Sequence, residues 1–60
     1  MSANNILIIK KVDDRFEIHD CDIESQGGFH VDTCNTLEDA VGIANEYMKE
    51  ELVEYGLKIL

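Results

Sequence analysis

One stretch of this chain repeats its apolar residues at helical period, and almost everything else alternates or turns. From Thr36 onward, Leu37, Ala40, Val41, Ala44, Tyr47, Met48 and Leu52 fall on one stripe at about 100° per residue, while Glu38, Asp39, Asn45, Glu46, Lys49 and Glu50 fall away from it. Thr36 offers a hydroxyl to an orphan N–H of the first turn, and Glu38 and Asp39 place acid where the helix dipole favours it. The pattern predicts a helix from Thr36 to about Leu52. A longer helix to Tyr55, stopped by Gly56 in the left-handed region, is the competing expectation. A single helix can cover one face of a sheet and leaves the other open.

The sheet is written on both sides of that helix. Asn4 to Val12 is rich in Ile and closes on Asp13-Asp14, residues that favour turns, and Arg15 to Cys21 follows as a second strand. If Val12 pairs with Arg15, then Leu7 and Ile9 share a face with Phe16 and Ile18, Ile6 and Ile8 share the other with His19 and Cys21, and Lys10 stands opposite Glu17. Asp22 to Gly28 reads as a loop. Phe29 to Cys34 then alternates Phe29, Val31 and Thr33 against His30, Asp32 and Cys34 as a third strand. Val53, Tyr55, Leu57 and Ile59 alternate with polar residues as a fourth. The expected fold class is α+β in the order βββαβ: one domain over residues 1–60, a three- or four-stranded sheet ordered 3-2-1-4 with the last strand parallel to the first, and one amphipathic helix on one face. Leu37, Val41, Ala44, Met48, Phe16, Ile18 and Val31 are its expected core.

A domain of this length buries only about 60% of the surface its unfolded chain exposes, so it invites a disulfide, a metal or self-association. The longest apolar run, Ile6 to Ile9, is far short of the roughly twenty residues of a membrane span, which makes a cytoplasmic site the expectation and reduced thiols the expected state of Cys21 and Cys34. His19, Cys21, His30 and Cys34 all project to the open face in the regular register. Two imidazoles and two thiols complete a tetrahedral zinc set chemically, but their spacing fits no knuckle that would converge them, and the expectation is no metal and no cofactor. The same four residues with Ile6 and Ile8 make a possible interface, for which a homodimer is the default. Cys21 beside His19 or His30 lacks an oxyanion array and a third orienting group, and Gly27-Gly28 lacks the Lys-Ser/Thr of a phosphate loop. The expectation is a protein that is not an enzyme.

Charge supplies the functional direction. Thirteen Asp and Glu against five Lys and Arg leave a net −8. Such a chain repels nucleic acid and anionic membrane and is steered toward basic partners. Lys10, Lys11 and Arg15 form the one basic cluster, with no aromatic stripe to stack bases. The acids Asp13, Asp14, Asp20, Asp22, Glu24, Glu38, Asp39, Glu46 and Glu50 are the candidate partner-binding residues, presenting carboxylates where a nucleic-acid-binding protein expects phosphates.

Thr36-Leu37-Glu38-Asp39-Ala40-Val41, opening a helix directly after a third strand, resembles the HicB-type antitoxin domain, and Glu54-Tyr55-Gly56-Leu57 is similar to that family's tail. The resemblance covers about half the chain and implies an inhibitor that occludes a small basic ribonuclease toxin. Small phage-encoded inhibitors of bacterial defence, anti-CRISPR proteins and DNA mimics among them, are similar in size and acidity. The expected function is therefore a non-enzymatic acidic inhibitor of a basic protein, a toxin or a nucleic-acid-handling enzyme. The alternative is a structural or adaptor module that self-associates through its apolar sheet face, with acidity serving solubility alone.

Overall fold

The computed structural model of the chain describes residues 4–24 and 27–60. Strands β1 (Asn5–Val12), β2 (Arg15–Asp22) and β3 (Gly28–Cys34) precede helix α1 (Leu37–Glu50) and a short strand β4 (Leu57–Ile59). The four strands form one sheet in the order β3-β2-β1-β4, with β1 and β4 parallel and the other pairs antiparallel. The α+β class and the βββαβ order agree with the sequence pattern. The centre of the predicted loop, residues 25–26, lies outside the described residues.

The β1–β2 hairpin adopts the expected register: Val12 faces Arg15, Lys10 faces Glu17 and Ile9 faces Ile18. Asp13 turns the chain at φ 56°, a left-handed conformation that Asp tolerates better than most residues. Leu7, Ile9 and Ile18 are thereby fully buried beneath the helix.

Strand β3 departs from simple alternation. Ile18 pairs with Asp32 but His19 pairs with His30, so Val31 is an extra residue bulged out of the ladder. The bulge inverts the faces of everything after it. Cys34, expected on the open face, lies opposite Phe16 and is buried on the helix side, whereas Thr33 moves to the open side opposite Glu17. Gly28 sits so close to β2 that a Cβ there would stand 2.5 Å from the Asp20 carbonyl oxygen and 2.9 Å from the Cys21 Cα.

Helix α1 begins as its sequence promises, with the Asp39 N–H donating to the Thr36 hydroxyl at 3.1 Å. Its buried residues are Ala40 and Ala44 rather than the larger members of the stripe; Val41, Tyr47 and Met48 flank them, and Leu37 is 38% exposed. Two small side chains in the middle of the stripe let the helix settle directly on Leu7, Ile9 and Ile18. The core thus centres on β1, β2, Cys34 and the two alanines, with Phe16 and Val31 packed around it.

The helix ends at Glu50, short of both expected ends, and Leu52 is 72% exposed. The cause is a competing set of hydrogen bonds. Asn5 donates its amide to the Leu52 carbonyl at 3.2 Å and accepts from the Glu54 N–H at 3.4 Å, while its backbone oxygen accepts from the Tyr55 N–H at 3.1 Å. That clamp holds the chain in a turn at Glu54 and Tyr55, and β4 starts at Leu57 instead of Val53. Gly56, at φ 77°, serves the entry to β4 and not a helix stop; its carbonyl accepts from the Leu7 N–H at 2.9 Å.

Glycine-to-alanine substitution should act in opposite directions at two sites. Gly28→Ala forces backbone apart and is expected to cost about 1–3 kcal/mol. Gly42→Ala, in the helix interior where a Cβ meets nothing within 4 Å, is expected to stabilise by about 0.5–1 kcal/mol. Urea denaturation of both variants checks this, and a shift of the same sign in both would contradict it.

Candidate docking surfaces

The candidate acids separate into four settings. Asp20, counted with the surface acids on charge alone, is only 8% exposed and lies on the helix side of β2. Its two carboxylate oxygens accept from the Asn5 amide at 3.0 Å and the Tyr47 hydroxyl at 2.5 Å. It is an internal tie and is withdrawn from the docking set. The alternation held the signal: Asp20 is in phase with Phe16 and Ile18, so the residues that would satisfy it had to come from the core side. Tyr47 and Asn5, its partners, were not singled out by charge or motif.

Asp13 and Asp14 occupy the β1–β2 turn, which is the same end of the sheet where β3 stops and α1 begins. A shallow hollow there is bordered by Val12, Asp13, Asp14, Arg15, Glu17 and Thr33. Glu38, Asp39 and Glu46, all exposed, border a second and larger one between the helix flank and the end of β3, together with Thr33, Cys34, Asn35, Gly42 and Ile43. Asp22, Glu24 and Glu50 lie toward the opposite end. Asp22 and Glu24 are bound into their own loop, where the Glu24 N–H donates to Asp22 at 2.9 Å and Asn4 donates to Glu24 at 3.1 Å. Among the helix acids, Glu46 pairs with Lys49 at 3.3 Å; both side chains are well exposed, so the pair contributes little.

The open sheet face carries Ile6, Ile8, His19, Cys21 and His30 as expected, with Ile6 and Ile8 half-buried, and Cys34 is absent from it. The His19 and His30 rings stand 5.2 Å apart across the β2–β3 ladder. His19 Nε2 donates to Glu17 at 2.9 Å, and His30 Nε2 and the Thr33 hydroxyl lie 2.6 Å apart in a hydrogen bond. The bulge therefore splits the His19, Cys21, His30 and Cys34 set, and among the described residues no three His, Cys, Asp or Glu side chains come together as a metal site. Both cysteines are free thiols; burial pushes the pKa of Cys34 up, which keeps it protonated. The hydrogen bond from His19, aided by the charges of His19, His30 and Lys10, holds the Glu17 carboxyl below its ordinary 4.5.

No helix among the described residues is long and apolar enough to cross a membrane. No family model matches the chain, and neither the curated proteins nor the solved structures provide a match to it.

Two titrations test the polar contacts. Burial, and then the hydrogen bond to Asp20, push the Tyr47 phenol up to about 12. A raised pKa means that the stabilisation is complete below the unfolded value near 10 and is lost as pH climbs through 12. Tyrosinate absorbance should show a step near 12 that disappears in Tyr47→Phe, a variant expected to lose about 1–3 kcal/mol because one Asp20 oxygen loses its donor. A spectrum without that step would remove the tie. For Glu17 the carboxyl carbon shift should titrate below 4.5 and move back toward it in His19→Ala; the stabilisation exists above the unfolded pKa and fades as pH falls through the lowered one.

Proposed function

We propose that the chain is a non-enzymatic binding protein that docks its acidic surface on a basic protein and inhibits it, the partner being a toxin or another nucleic-acid-handling enzyme. The observation that carries this reading is the gathering of Asp13, Asp14, Glu38 and Asp39 at one end of the sheet, with Glu46 continuing along the helix flank, on a chain of net −8. Carboxylates held on a hairpin turn and on a capped helix are fixed in relative position by the fold. They can occupy a basic groove as phosphates would and keep nucleic acid out. Attraction of this kind accelerates encounter and selects against acidic partners. The likeness of Thr36 to Val41 and of Glu54 to Leu57 to HicB-type antitoxins supports the same class of partner.

Affinity purification from the source cell, followed by mass spectrometry and stopped-flow association with the partner recovered, tests the reading. A basic protein is expected. Its association rate should fall about tenfold or more between low and high salt, since surface charges act over roughly 10 Å at 0.1 M ionic strength. Reversal of Glu38, Asp39 and Glu46 to Lys should abolish binding without unfolding the chain. A neutral or acidic partner, with binding intact after charge reversal, would refute the proposal and favour a module that uses its apolar sheet face.

A further inference from the structure

Helix α1 has a glycine at its centre for which this fold has no use. Gly42 is exposed, and a Cβ placed on it would meet nothing within 4 Å, so no neighbouring strand or side chain requires the missing group. In the interior of a helix glycine is less favourable than any residue except proline. Its position shows what the gap opens onto. Glu38 and Glu46 lie one turn before and one turn after it on the same stripe, and between helix and β3 the half-buried Ile43 and the buried Cys34 provide an apolar floor. The result is a bare stretch of helix backbone above an apolar floor, with carboxylates at both ends.

An apolar trough ending in carboxylates is complementary to a long side chain that is apolar along its stem and cationic at its tip. We propose that the groove over Gly42 receives an arginine side chain from a basic partner, its stem lying across Gly42 and Ile43 and its guanidinium reaching Glu38 or Glu46. A planar guanidinium donates to carboxylates in pairs, and its weak hydration suits a half-apolar seat better than the compact ammonium of lysine. The inference rests on the docking reading above and names the seat within it. Any side chain at position 42 would fill the seat without altering the charge of the surface.

Titration of the 15N-labelled full chain with a capped hexa-arginine peptide, followed by amide shifts, tests the seat. Saturable shifts are expected to concentrate at Asn35, Gly42, Ile43 and Glu46. Gly42→Leu, which keeps every charge, should weaken binding about tenfold, whereas neutralising Asp22 and Glu24 at the far end should weaken it less than about threefold. Thermal melting of Gly42→Leu at or above the parent temperature confirms that a folded helix is being compared, and Gly42→Gln serves as a second filling variant. Shifts spread evenly over all acidic residues, or unchanged affinity in both filled variants, would overturn the seat and leave general acidic docking standing. An absence of any shift at low salt would overturn the seat and count against acidic docking as well.

Discussion

The buried carboxylate of Asp20 ties the helix to the two central strands. It is buried on the helix side of β2, where an unpartnered charge would cost several kcal/mol, on the order of the stability of a whole small domain. Both of its oxygens are satisfied, one by Tyr47 from the helix and one by Asn5 from β1. Asn5 in turn grips Leu52, Glu54 and Tyr55, so one polar chain runs from helix to central strands to the segment that leads into β4. The place where the helix stops and the place where β4 begins both follow from it. Among the described residues no buried side-chain nitrogen or oxygen lacks a partner, the condition under which such a network specifies one arrangement.

Above this network the core is small and depends on close approach. Leu7, Ile9 and Ile18 present one layer, and Ala40 and Ala44 bring the helix down onto it. Larger residues at the two alanine positions would lift the helix and separate Tyr47 from Asp20. The stripe keeps its bulk at the flanks instead, in Val41, Tyr47 and Met48, which pack partly buried around the core.

The surfaces divide unequally in charge. The open sheet face holds Lys10, Lys58, His19 and His30 with Glu17, while the helix flank and the hairpin end hold exposed carboxylates in groups. A net −8 is therefore concentrated away from the open face. A partner drawn in by long-range attraction meets the helix flank first, because Lys10, Lys11 and Arg15 flank the Asp13-Asp14 turn and offset its charge.

Much of the fold was legible in the amino-acid order because the relevant physics is local. Thr36 caps the helix that its sequence position predicts, Asp13-Asp14 turns the hairpin in the register that Leu7, Ile9, Phe16 and Ile18 demand, and a lone amphipathic helix leaves one sheet face open. The net charge of −8 is likewise a property of composition alone. The rest was set by contacts between residues distant in sequence. The bulge at Val31 depends on how β3 meets β2, and a one-residue slip inverts faces, so Cys34 entered the core and the His19, Cys21, His30 and Cys34 set was divided. The helix end was decided by Asn5, nearly the full chain away, outcompeting the continued ladder at Leu52. Asp20 was separated from the other acids because Tyr47 and Asn5 reach it only in the folded chain. Charge can be counted along a sequence, but burial of a charge is decided by which donors the tertiary structure brings to it.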